Sequence, residues 1–212
     1  MNDSDLNKFK VDDTLKEKLI ERITSFGKYP YSSKTDVKSI EWNVLDIQKG
    51  KALLCSKYGI DARKYNSSLT EVTWETCTLR KWLNNKFLKT AFTPEERSLI
   101  LETIVTADKN SSYSTNPGNA TTDKIFLLSI PEAQKYFINN NERKTSATPY
   151  ANYHGAHKVH DDFCCWWLRS PGIICKSAAH VHCSGNIDEA GYLVDIDFYV
   201  VRPALWIDLT NL

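Results

Sequence analysis

Residues 166–207 read WWLRSPGIICKSAAHVHCSGNIDEAGYLVDIDFYVVRPALWI, and the fold class follows from this stretch. Short β-like pieces are expected at 166–169, 178–182, 186–188, 191–198 and 200–209, broken by turns at Ser170-Pro171-Gly172 and Ser184-Gly185. Between the two aromatic ends runs a skeleton of small and apolar residues, Ala178, Ala179, Val181, Gly185, Ile187, Gly191, Val194 and Val201. Chemically unrelated side chains are interleaved with it. The pattern predicts a sheet whose backbone is held by the skeleton and whose remaining positions are free to face a partner.

Upstream, the periodicity turns helical. Leu15, Leu19, Ile20 and Ile23 fall on one face of an amphipathic helix over 12–26, with Gly27 just past its end. Two apolar runs, 40–47 and 52–56, flank Gln48-Lys49-Gly50 and predict a β-hairpin. Leu79, Trp82, Leu83 and Phe87 share a helical face over 78–87. Thr93-Pro94-Glu95-Glu96 then opens a second helix with proline and acids in its first turn. Residues 108–122, rich in Asn, Ser and Thr, read as an exposed loop, followed by a strand-like 125–129 and a further helix over 131–137. The expected division is an N-terminal helix or appendage, 1–34, and a ligand-binding domain, 35–212.

The chain has 212 residues, 42% hydrophobic and 25% charged, enough for one good core. With 27 basic against 26 acidic residues the net charge is +1, so no field of one sign is available to hold nucleic acid. The charged N-terminus lacks the apolar stretch of a signal peptide, and no run is long enough to span a bilayer. A cytoplasmic or virion-associated product is therefore expected, and free thiols are the default for its six cysteines.

Four ordered motifs stand out: VTWETCTLRKWLN at 72–84, KIFLLS at 124–129, WWLRSPG at 166–172 and VRPALWI at 201–207. Together they resemble a bacterial and phage family of uncharacterised domains related to the C-type-lectin and formylglycine-generating-enzyme fold, and the resemblance covers about 26–212. Some members of that group look like variable proteins of diversity-generating retroelements, in which adenine-directed mutagenesis rewrites codons, commonly AAC, between a WLRSPG-like and a VRPA-like segment. The resemblance implies an α+β, C-type-lectin-like fold: short helices packed on a small, twisted, mainly antiparallel sheet. It also implies a fixed scaffold holding a diversified face. Randomising both adenines of AAC never yields Lys, Glu, Gln, Met or Trp, and between Gly172 and Val200 only Lys176 and Glu189 fall outside the allowed set. A β-rich segment is itself poor in Lys and Glu, so the depletion is modest support.

On this reading the variable surface comprises Ile173, Ile174, Cys175, His180, His182, Cys183, Asn186, Asp188, Tyr192, Leu193, Asp195, Ile196, Asp197, Phe198 and Tyr199. The bland alternative makes about half of them strand core. Trp74, Trp82, Trp166, Trp167 and Trp206 are scaffold candidates, since each large aromatic removes roughly 150–250 Å² from water. Arg169 and Arg202 are expected to be internal arginines that bind irregular backbone. The expected partner is a protein or other macromolecule, with no catalytic residue, no metal and no cofactor.

The chief rival is a metal site. All five histidines and four of the six cysteines lie in 154–183, including His154, His157 and His160 at three-residue spacing. Against it, no CxxC occurs, Cys164 and Cys165 are vicinal, and on a strand His180 and His182 share one face while Cys183 points to the other. A copper-dependent oxidase of formylglycine-generating-enzyme type is the alternative function, and it requires Cys164 or Cys165 to meet Cys183. Cys165 with His160 and Asp161 has the composition of a hydrolase but no oxyanion signature. Asp188, Asp195 and Asp197 are the candidates for calcium, which is expected to play no part. The tract 150–162 is read as an exposed insertion.

Overall fold

A computed structural model of the chain describes residues 13–160 and 162–210. The first helix, α1 (Asp13–Ser25), is the predicted amphipathic one, and Leu19 and Ile23 on its apolar face are buried with Phe26 just beyond. The hairpin β1 (Lys28–Pro30) and β2 (Val37–Ser39) follows. A division at 34/35 therefore cuts through a hairpin. It also separates Phe26 from Trp42, whose Nε1 donates to the Phe26 carbonyl at 2.7 Å. The helix is no appendage here: its apolar face belongs to the same core as the rest of the chain, because an amphipathic helix this short buries its stripe or does not form.

The predicted hairpin is β3 (Trp42–Gln48) and β4 (Lys51–Ser56), joined by Lys49-Gly50 with both φ angles positive, the geometry of a type I′ turn. Strand β5 (Asp61–Ala62) comes next. Helix α2 (Thr78–Trp82) runs through a π-helical segment (Leu83–Phe87) into α3 (Leu88–Ala91), burying Leu79, Leu83 and Phe87. Helix α4 (Pro94–Leu99) carries a complete capping box from Thr93 and Glu96. Strands β6 (Thr103–Val105) and β7 (Thr121–Asp123) pair across the 108–120 loop.

Residues 125–129, read as strand-like, are buried, but they form an isolated bridge at Phe126 rather than a strand. Phe126 exchanges hydrogen bonds with Ala204 while the Leu128 carbonyl accepts from Arg169 N–H at 2.9 Å, so one short segment ties two sheets together. Helices α5 (Ile130–Tyr136), α6 (Asn140–Arg143) and α7 (Pro149–Tyr153) follow, the first with a second capping box from Ser129 and Glu132.

The remaining strands are β8 (Lys158–His160), β9 (Phe163–Cys164), β10 (Trp166–Pro171), β11 (Ser177–Val181), β12 (Ile187–Leu193), β13 (Val200–Val201) and β14 (Ala204–Asp208). The architecture is α+β, with helices around several small, mostly antiparallel sheets. The largest has the order β12-β11-β10-β13-β5, and its β10–β13 pair is parallel; β14-β4-β3 forms a second sheet. The two pieces expected at 186–188 and 191–198 are one strand that ends at Leu193. Gly191, at φ 73°, makes a bulge inside β12 instead of starting a new strand. Among the described residues no helix is long and apolar enough to cross a membrane.

Candidate binding surface

The floor of the site is β10, in which all six residues are buried. Trp166 and Trp167 are fully buried, and their indole N–H groups donate to the carbonyls of Arg143 at 3.0 Å and Arg63 at 2.9 Å. Arg202 lies with its guanidinium 4.6 Å from the Trp166 ring and donates Nε–H to the Ser56 carbonyl at 3.0 Å. Arg169 donates to the Leu127 carbonyl at 3.0 Å, to Asp108 at 3.2 Å and to Glu132. Both arginines are internal, each fastening irregular backbone to β10 or β13. Trp74 and Trp206 are buried as well, and Trp82 is partly so.

The rim is β12 and the turn that precedes β11. β12 is the edge of its sheet and none of its seven residues is fully buried. Ile173 and Ile174 are each 50% exposed, Tyr192 is 46% and Leu193 40%. Backbone hydrogen bonds place these residues together: Ile173 N–H donates to the Ala190 carbonyl at 2.8 Å and Val194 N–H to the Lys176 carbonyl at 3.0 Å. His182, Asn186 and Asp197 are exposed too, while Cys175, Asp188, Asp195, Ile196 and Phe198 are half-buried.

Three expected surface residues are not on the surface: His180, Cys183 and Tyr199 are buried. Tyr199 packs 4.8 Å from Trp167 and its hydroxyl lies 3.2 Å from His180 Nε2, so it continues the core toward Tyr192 and Phe198, whose rings lie 5.8 and 5.2 Å from its own. His180 belongs to β11, whose five residues are all buried between neighbours on both edges. Burial holds this imidazole down at about 4, against the opposing pull of Asp188.

The sequence reading missed the part played by 108–122. That loop is stapled to the rim rather than free. Asn110 Nδ2 donates to the Pro171 and Glu189 carbonyls at 2.8 and 2.7 Å, and Thr115 Oγ1 donates to the Ile173 carbonyl at 2.9 Å. An open groove of about 600 Å³ results between Tyr113, Thr115 and Asn116 on one side and Ile173, Ile174 and Cys175 on the other. The abundance of Asn and Ser in the loop was the available signal, because short polar side chains satisfy backbone carbonyls at close range.

The histidine run disperses. His154 Nδ1 pairs with the buried Asp61 at 2.7 Å, and His157 rests 6.0 Å from the Phe198 ring. Asp61 also accepts from Tyr29 and Arg63; burial first, and then the Asp61 carboxylate, raise the Tyr29 hydroxyl far above its ordinary range, against the opposing pull of Arg63. The His160 side chain and Asp161 lie outside the described residues, and with them the Cys165–His160–Asp161 grouping. Asp188, Asp195 and Asp197 do not gather into a metal-sized cluster. Among the described residues the one group of three or more potential ligands is Cys165, His182 and Cys183, whose ligand atoms all lie within 4.8 Å of one another. The Cys165–Cys183 convergence that the oxidase alternative requires is thus present; burial pushes the Cys165 thiol up to about 11.

A family model described as "Domain of unknown function (DUF6273)" matches residues 49–209, and the chain belongs to that family. No curated protein and no solved structure matches it.

Proposed function

We propose that this DUF6273 chain is a ligand-binding protein. Its C-type-lectin-like scaffold offers the β12 edge and the 173–176 turn as a diversified surface to a protein or other macromolecule, as a diversity-generating-retroelement variable protein would. The observation that carries the reading is the cluster of Ile173, Ile174, Tyr192 and Leu193. Four large apolar side chains, each 40–50% exposed on adjoining backbone, form the kind of patch that marks a recognition site. Tyr192 is an aromatic anchor already braced by Phe198 and Tyr199.

Placement within the segment supports the diversified part of the reading. The skeleton residues Ala178, Ala179, Val181, Val194 and Val201 are buried, whereas Ile173, Ile174, His182, Asn186, Tyr192, Leu193 and Asp197 face outward. For the lectin-like part, the support is the set of short helices around small sheets, with the C-terminal β14 returning to the early hairpin β3–β4. Stability in such a design comes from the tryptophan and arginine motifs, so the rim is free to change.

The test is to sequence the gene with several kilobases of flanking DNA. The expected result is a near-copy of the coding region for 166–204 that differs mainly where the copy has adenine, with the differences on codons of the outward-facing residues and not on those for Trp166, Ala179 or Val181. Absence of such a repeat, or differences spread evenly over buried and exposed codons, overturns the diversified-surface reading.

A further inference from the structure

Soft donor atoms converge at the turn that joins β11 to β12. Cys165 sits where β9 meets β10, and Cys183 lies one residue beyond His182 in the turn between β11 and β12. The Cys183 sulfur is 3.6 Å from each ring nitrogen of His182, and with one of those nitrogens the Cys165 sulfur completes a triangle with no side above 4.8 Å. A tetrahedral zinc ion, at about 2.3 Å from sulfur and 2.0–2.1 Å from nitrogen, holds two sulfurs about 3.8 Å apart and a sulfur and nitrogen about 3.6 Å apart. One separation already matches, and the others need to close by about 1.0 Å (sulfur to sulfur) and about 1.2 Å (sulfur to nitrogen) at most.

Strand alternation argued against this grouping, and the turn removes the objection. β11 ends at Val181, so His182 and Cys183 are not successive strand residues with opposed side chains. His182 N–H donates to the Asn186 carbonyl and Gly185 N–H to the His182 carbonyl, both at 2.8 Å. The turn is clamped from outside as well. Arg143 Nε donates to the Gly185 carbonyl at 2.8 Å, and a Cβ on Gly185, whose φ is 87°, would lie 1.8 Å from the Asn140 carbonyl oxygen. Only glycine fits there, and the ligand residues are held by backbone that cannot easily shift.

The turn also fixes the orientation of the imidazole: Nδ1 accepts from the Ser184 backbone N–H at 3.3 Å and lies 2.9 Å from Ser184 Oγ. Two sulfurs and one nitrogen form a soft donor set, suited to a thiophilic ion and poorly suited to calcium or magnesium.

We propose that Cys165, His182 and Cys183 form a binding site for a thiophilic d10 cation of the zinc(II) class, with a fourth position open beside the exposed His182. Binding releases the two thiol protons to solvent, and the charges of two thiolates and a divalent ion cancel, so the buried sulfurs carry no net charge. No electron transfer is involved. The ion pins the start of β10 to the β11–β12 turn and so braces the hairpin that bears the rim. This inference does not depend on what the rim binds, and it takes His182 and Cys183 out of the set of residues that vary.

The test uses the reduced full chain with Co²⁺ as a spectroscopic probe and Zn²⁺ as competitor. The expected result is a near-ultraviolet sulfur-to-cobalt charge-transfer band that saturates at one equivalent and is bleached by Zn²⁺. Cys183→Ser and His182→Ala should each weaken binding by more than the roughly 10- to 100-fold that loss of a supporting partner costs, while His157→Ala leaves it unchanged. His182 is exposed, so its variant keeps the experiment decisive if the buried cysteine variants misfold. No charge-transfer band, a band unaltered by both ligand substitutions, or a reduced protein that binds no metal and forms a Cys165–Cys183 disulfide in air overturns the proposal.

Discussion

Strands β10 and β12 are nearly equal in length and both pair with β11, yet every residue of β10 is buried while none of β12 is. Composition does not separate them, since Tyr192 and Leu193 are as apolar as much of β10. What differs is place in the sheet. β10 has β11 on one edge and β13 on the other, with 125–128 and the indole and guanidinium groups packed around it, whereas β12 is the sheet's edge. A side chain on β10 meets fixed neighbours on all sides, and a change there opens a void. On β12 a change meets solvent or a partner, so the fold can keep its stability at one strand and vary its chemistry at the other.

The sharpest way to break that contrast is to truncate both strands. Trp166→Ala should lower stability by about 3–5 kcal/mol in a denaturant titration, since it removes a fully buried indole and the shorter of the two hydrogen bonds to the Arg143 carbonyl. Tyr199→Ala should follow at about 3 kcal/mol: although it stands in the segment read as display, its ring is buried against Trp167 and His180. A near-neutral Tyr199→Ala would move the line between scaffold and rim inward by one layer. Tyr192→Ala should change stability least, by about 0.5–1 kcal/mol, through partial loss of its contacts with Phe198 and Tyr199. Equal losses for Tyr192→Ala and Trp166→Ala would erase the distinction between the two strands.

Much of the local structure was legible in the chain. The helix ending near Gly27, the Lys49-Gly50 hairpin and the helix opened by Thr93 and Pro94 all stand within a residue or two of where periodicity and capping chemistry put them. The internal arginines were legible too, because each stands in an aromatic-bearing motif, WWLRSPG or VRPALWI, where a guanidinium can stack on a ring or bind carbonyls of irregular backbone. Less legible was 125–129, whose strand-like composition buys only an isolated bridge: its backbone groups are divided between Ala204 and Arg169 instead of forming a ladder with one partner. The loop 108–122 was read as exposed because its composition is polar, but those polar groups are what bind it to Pro171, Ile173 and Glu189.

By itself the sequence determined where helices, hairpins and turns begin, because those depend on periods and caps a few residues long. It also marked 173–199 as a segment of small skeleton residues among unrelated side chains. Only the tertiary structure decided which of those side chains reach solvent: β11 lies inside its sheet and β12 at the edge, so His180 sinks while Tyr192 and Leu193 emerge, and Tyr199 is buried by packing on Trp167 and His180. It likewise decided that Cys165 meets Cys183 and His182 while the other histidines scatter. Such meetings are set by strand pairing across distant segments and by a turn that redirects side chains, and neither leaves a local pattern in the chain.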